Sequence, residues 1–217
     1  MPRTLVFDVN ETLLDLGALD EDIERITGAP PRRWFLELQR LWLVATATGY
    51  YEDFPTLIGR ALRSVSAGEI ADADVQHILD GVVALPAHPE VPDALRRLRE
   101  AGHRLAVLTN GTLGAVRQQL DHAGLSDLLD DAFSADEVRR YKPAPQPYLH
   151  AAARLGEAPA DLTLVAAHAW DIYGAHQAGF RTAFVARPGA SLVPGWPAPD
   201  VQGADLDAVA DALLRSP

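Results

Sequence analysis

The sequence predicts an α/β fold, a doubly wound parallel sheet carrying an inserted all-helical cap domain. Three observations carry that prediction. Short apolar segments rich in strand formers alternate with amphipathic helical segments over most of the chain, as parallel strands joined by crossover helices do. One long stretch, 16–86, replaces the alternation with helical periodicity alone. The 217 residues, 48% hydrophobic and 23% charged, suit one compact core with a smaller inserted unit.

The elements follow in order. Thr4-Leu5-Val6-Phe7-Asp8-Val9 reads as a strand with a carboxylate at its end. From Leu16 to about Leu85 the pattern is helical, with Pro31 to Thr48, Phe54 to Ser66 and Asp72 to Leu85 showing apolar residues at helical spacing. After Pro86 the alternation sets in. Helix Val91 to Ala101 leads to strand Arg104 to Thr109, and helix Leu113 to Ala123 to a short strand at Ala132 to Ser134. Helix Pro147 to Leu155 precedes strand Leu162 to Ala166, helix Ala169 to Ala178 precedes strand Thr182 to Ala186, and a last helix spans about Leu206 to Leu214. This is a Rossmann-like core of residues 1–15 and 87–217, interrupted by a helical cap of residues 16–86. In such sheets ligands sit beyond the carboxyl ends of the strands.

Composition narrows the function. A net charge of −11, with no Arg-rich stripe, argues against nucleic acid or an anionic membrane as partner. The absence of cysteine removes disulfides, thiolate chemistry and zinc-thiolate sites. The first apolar run is too short for a signal peptide or a membrane span, so the expected location is cytoplasmic. The 19 basic residues are 18 arginines and one lysine, Lys142. A lysine that persists against such a bias points to a site where a compact ammonium is needed.

Four predicted strand ends, or the loops after them, carry chemistry: Asp8-Val-Asn-Glu-Thr-Leu13, Leu108-Thr-Asn-Gly111, Tyr141-Lys-Pro143 and Val165-Ala-Ala-His-Ala-Trp-Asp171. Each alone is ordinary cap or turn chemistry. Together they place a carboxylate, a hydroxyl-amide pair, a lysine and a second carboxylate near one sheet edge. A carboxylate attacks well only when desolvated, aimed and kept ionised by a cation. Lys142 can supply that charge, while Thr12, Thr109 and backbone amides can hold the oxygens.

In order and over the whole chain, these segments resemble the four motifs of the haloacid dehalogenase superfamily. Tyr141-Lys142-Pro143 with Tyr148, and Ala169-Trp170-Asp171 with Gly174-Ala175, are similar to the third and fourth motifs of its 2-haloacid dehalogenase branch. The resemblance implies a hydrolase that needs no cofactor and no metal, acting on a small halogenated carboxylate, and it allows a homodimer. Asp8 is then the nucleophile, Lys142 keeps it ionised, and Asp171 positions Lys142 and the hydrolytic water. Thr109 and Asn110 bind the substrate carboxylate, with Asn10, Thr12, Phe35, Tyr148 and Trp170 completing the substrate site.

The alternatives are a Mg²⁺-dependent phosphatase of the same superfamily and a binding or regulatory protein that has lost catalysis. The phosphatase pattern asks for an acid where Asn10 stands and a second metal-binding acid where Ala167 stands. The chain also departs from the dehalogenase pattern. The arginine expected after Trp34 is Phe35, with Arg32 one helical turn away. The polar pair of the fourth motif has become Ala166 and His168. At that strand end His168 reads as a base for water or a cation for halide.

Overall fold

The computed structural model describes residues 3–215. Its core is one six-stranded sheet in the order β3-β2-β1-β4-β5-β6, every pairing parallel. The strands are β1 (Thr4–Phe7), β2 (Arg104–Thr109), β3 (Asp131–Ser134), β4 (Leu162–Ala166), β5 (Arg181–Val185) and β6 (Val201–Gly203). Leu5, Val6 and Phe7 are fully buried, as a central strand covered on both faces requires. Phe7 pairs with Val107 on one side and Val165 on the other. The chain therefore winds outward in opposite directions from β1 and β4. The crevice at such a reversal opens beyond the carboxyl ends of those two strands, where Asp8 and His168 lie.

The core helices are α5 (Val91–Glu100), α6 (Leu113–His122), α7 (Pro145–Leu155), α8 (Ala169–Gln177) and α9 (Leu206–Arg215). Between β1 and α5 the chain builds the all-helical cap: α1 (Asp20–Thr27), α2 (Pro31–Thr48), α3 (Phe54–Val65) and α4 (Asp72–Val83). Proline at the start of α2 and Gly49 at φ 76° after its end set the limits of that helix. Its buried face is Trp34, Leu38, Trp42 and Ala45. The helix meets the core through aromatic rings, with Trp42 5.5 Å from Trp170 and the partly buried Phe35 5.6 Å from His168. At the other end of the cap Tyr51 stacks on Tyr141 at 5.3 Å, and Tyr141 donates to the Glu52 carbonyl. The two chain crossings lie side by side, where Asp15 N–H donates to the Pro86 carbonyl at 2.8 Å and Leu14 bridges Ala87.

The fold class matches the sequence expectation. One strand and one α-helix had not been delineated. The three-residue edge strand β6 follows a Pro- and Gly-rich run with no strand periodicity, and α1 lay within the helical stretch without limits of its own. Among the described residues no helix is long and apolar enough to cross a membrane.

Candidate active site

Asp8 leaves β1 directly into a tight turn. Its Oδ2 accepts from Thr12 Oγ1 at 2.9 Å, and Thr12 Oγ1 accepts from the Ala167 N–H at 3.0 Å, so one hydroxyl ties the first motif to the end of β4. Lys142 comes from the loop before α7 and is 0% exposed. Its ammonium donates to Asp8 Oδ1 at 2.8 Å, Asp171 Oδ2 at 2.7 Å and the Leu108 carbonyl at 2.9 Å, which uses all three of its donors. Asn110 holds the loop by accepting from the Lys142 backbone N–H at 2.8 Å. Asp171 is fully buried in the first turn of α8, and its Oδ1 accepts from Tyr148 Oη at 2.5 Å.

The electrostatics follow from these contacts. Burial pushes the Asp8 carboxyl up, but the Lys142 ammonium and the His168 ring outweigh it and hold Asp8 well below the usual carboxylate range. Asp171 moves up, because burial and the charge of Asp8 prevail over Lys142 and Tyr148. Lys142 is raised, since the two carboxylates overcome the burial that would otherwise discharge it. Burial and Asp171 keep the Tyr148 hydroxyl protonated and therefore a donor.

His168 is 12% exposed in its side chain and lies in a stack, its ring 5.6 Å from Phe35 and 5.2 Å from Trp170. Its Nδ1 faces Asp8 Oδ2 at 3.3 Å and its Nε2 faces Glu11 Oε2 at 2.6 Å. Burial disfavours the imidazolium, yet the hydrogen bonds and charges of Asp8 and Glu11 push His168 up to about 9. Phe35, His168, Trp170, Glu11, Trp34 and Arg32 are among the walls of a cavity of about 780 Å³ between cap and core. Asp8, 6% exposed, does not itself line this cavity, while its neighbours Glu11, Ala167 and His168 do.

The structure thus brings together Asp8, Thr12, Lys142, Tyr148, His168 and Asp171, with Phe35 and Trp170 against the imidazole. Thr109 and Asn110 adjoin the cluster with their side chains engaged. Thr109 Oγ1 accepts from Gly111 N–H at 3.0 Å, and Asn110 holds Lys142. Asn10 turns away, its amide oxygen accepting from Gln119 Nε2 at 3.0 Å, because Gln119 also secures the Val82 carbonyl of α4 and sits within reach. Two residues escaped the sequence reading. Glu11 stands inside the first motif, and an acid three residues past the nucleophile, in a site that also offers a histidine, is the signal that marks it. Arg187, after β5, donates to the Thr12 carbonyl at 2.8 Å and pairs with Glu90, clamping the first motif from behind. Nothing in its local sequence pointed there. Among the described residues no group of three or more histidine or acidic side chains is arranged to hold a metal ion.

Comparison with known proteins agrees with this architecture. Residues 2–179 match the family of haloacid dehalogenase-like hydrolases. An (S)-2-haloacid dehalogenase of Pseudomonas sp. strain CBS-3 is 34% identical over 197 residues, covering 85% of each chain. Another, from Burkholderia cepacia, is 30% identical over 195 residues, covering 86% of this chain and 84% of its own. A crystal structure of an L-2-haloacid dehalogenase superposes with a TM-score of 0.91 at 27% identity, over 99% of both chains. On the matched family, on these relatives and on the fold, the chain belongs to the haloacid dehalogenase-like hydrolases.

Proposed function

We propose that the chain is a hydrolytic dehalogenase of small, haloacetate-like 2-haloalkanoic acids, acting through an ester of Asp8. The observation that carries this is the buried ammonium of Lys142 set between Asp8 and Asp171, which keeps a desolvated carboxylate ionised and aimed. Asp8 Oδ2, on the side of His168 and the cavity, attacks the carbon that bears the halogen. The C–O bond forms as the carbon–halogen bond breaks and its electron pair leaves with halide. Water then adds to Cγ of Asp8, and collapse of the adduct expels the 2-hydroxy acid and restores the carboxylate. His168 serves the second step as the base for water. Asp171 and Tyr148 hold Lys142 in place. Thr109 and Asn110, whose side chains are engaged, meet the substrate carboxylate through backbone N–H groups, while Asn10, bonded to Gln119, takes no part in substrate binding.

The phosphatase alternative finds an amide bonded to Gln119 at Asn10 and a methyl group at Ala167, where it needs two acids. The test is mass spectrometry of the protein after incubation with chloro-, bromo- and fluoroacetate, alongside halide release. An adduct on Asp8 is expected. Turnover of p-nitrophenyl phosphate that depends on Mg²⁺, with no adduct, would overturn the reading.

The same reading takes residues 1–15 and 87–217 as core and 16–86 as cap, supported by the adjacent crossings at Asp15–Pro86 and Leu14–Ala87. It also includes a cytoplasmic location and a homodimer. The exposed apolar stripe of Leu36, Leu43 and Val44 on α2 supports a second copy, which light scattering checks.

A further inference from the structure

We propose that Glu11 is the positioning residue of the second half-reaction: it retains the proton on Nε2 of His168, so that Nδ1 is the nitrogen left to take a proton from water once Asp8 is esterified. This rests on the reading of Asp8 as the esterified nucleophile, and goes beyond it by assigning the tautomer of His168 and the group that sets it.

The geometry is one-sided. The Glu11 contact at 2.6 Å is much shorter than the Asp8 contact at 3.3 Å, and the ring cannot turn freely while Phe35 and Trp170 lie against its faces. Glu11 reaches Nε2 from a backbone at φ 62°, in the left-handed region that side chains other than glycine and asparagine seldom adopt. Its N–H donates to the Leu14 carbonyl at 2.7 Å, which holds the turn in that shape. Strain of this kind persists where surrounding structure over-determines it, and functional sites are where it collects.

The charges explain what the dyad does. At rest both imidazole nitrogens carry protons, one facing each carboxylate. The charged groups around the ring are Asp8 and Glu11, with Lys142 behind Asp8. Attack by Asp8 turns its carboxylate into a neutral ester, so Nδ1 loses its anionic partner while Nε2 keeps Glu11. His168 then releases one proton to solvent from Nδ1, the proton that leaves with the halide. Water adds to Cγ and gives a proton to Nδ1. That proton passes to the departing alkoxide as the Cγ–O bond breaks. The carboxylic acid left on Asp8 returns its own proton to Nδ1, which restores the resting pair. The sum is organohalide plus water to alcohol, halide and one proton. A carboxylate that fixes an imidazole tautomer in this way acts through the histidine and touches no reacting atom.

The test uses the full-length protein and three variants, Glu11→Gln, Glu11→Gly and His168→Asn, in single-turnover reactions with bromoacetate, following the Asp8 ester by mass. With Glu11→Gln the ester should form within a few-fold of the wild-type rate and break down at least about tenfold more slowly, so that it accumulates. The pH at which breakdown reaches half its maximum should fall, since His168 then lacks the anion that raises its basicity. Glu11→Gly should show the same slow breakdown with the fold retained by circular dichroism, because glycine accepts a positive φ. Unaltered breakdown and pH profile in both Glu11 variants would make Glu11 structural only and overturn the proposal. Slow ester formation without accumulation in Glu11→Gln and His168→Asn would also overturn it, moving the dyad to substrate binding. No adduct on the wild-type protein would instead sink the reading of Asp8 itself, and this proposal with it.

Discussion

At the scale of single residues the site turns on how few charges it can lose. Asp8→Asn keeps shape and removes the attacking anion, so turnover should fall by on the order of 10³-fold or more with the fold retained, as halide release and circular dichroism would show. Lys142→Arg keeps the charge and should still cost at least about 100-fold in kcat. A planar guanidinium cannot send three donors to Asp8, Asp171 and the Leu108 carbonyl from one buried point. A third expectation concerns pH. His168 is held at about 9 against about 6.5 in an unfolded chain, so it stabilises the fold fully below pH 6.5 and loses that contribution as pH rises through 9. Denaturant titrations at pH 6 and pH 10 should differ by up to roughly 3 kcal/mol from this source, and the difference should vanish in His168→Asn. Asp8, Lys142, His168 and Asp171 were legible because they fall in three of the four segments at predicted strand ends or in the loops after them, and because Lys142 is the only lysine of the sequence. Glu11 was not, since acids abound in this chain and only its left-handed backbone and its 2.6 Å contact set it apart.

At the scale of elements, α8 presses on the loop that carries Lys142. A Cβ on Gly174 would lie 2.6 Å from Pro143 Cβ, 2.7 Å from Tyr148 Oη and 2.8 Å from the Pro143 carbonyl. Gly174→Ala should therefore destabilise the protein by about 1–3 kcal/mol, read from chemical denaturation, and reduce kcat more than it changes KM, since Tyr148 and Asp171 move together. Central strands and long helices were readable from periodicity because burial on one or both faces dictates it. Edge strand β6 was not, for it is held by pairing to β5 and has no buried run of its own. The loss of Asn10 from the cluster was equally hidden, because its partner Gln119 lies more than one hundred residues away on α6.

At the scale of the molecule the cap and core meet over aromatic rings, and Trp42 is the hub, within 5.5–6.2 Å of Trp170, Phe54 and Phe35. Trp42→Ala should cost about 3–5 kcal/mol of stability and raise KM, because the wall of α2 that bears Phe35 loses its support. The division into sheet and helical insert could be read from the sequence, whereas the way the insert folds back over His168 needed three dimensions. The burial of Lys142 has one more consequence, for labelling chemistry. The only lysine of the sequence has no exposed surface and all its hydrogens engaged. An amine-reactive reagent can modify a lysine of this chain only when the strand ends and the cap come apart. The rate at which label appears on Lys142 thus counts openings of the whole site, and a bound substrate that favours the closed form should slow that count.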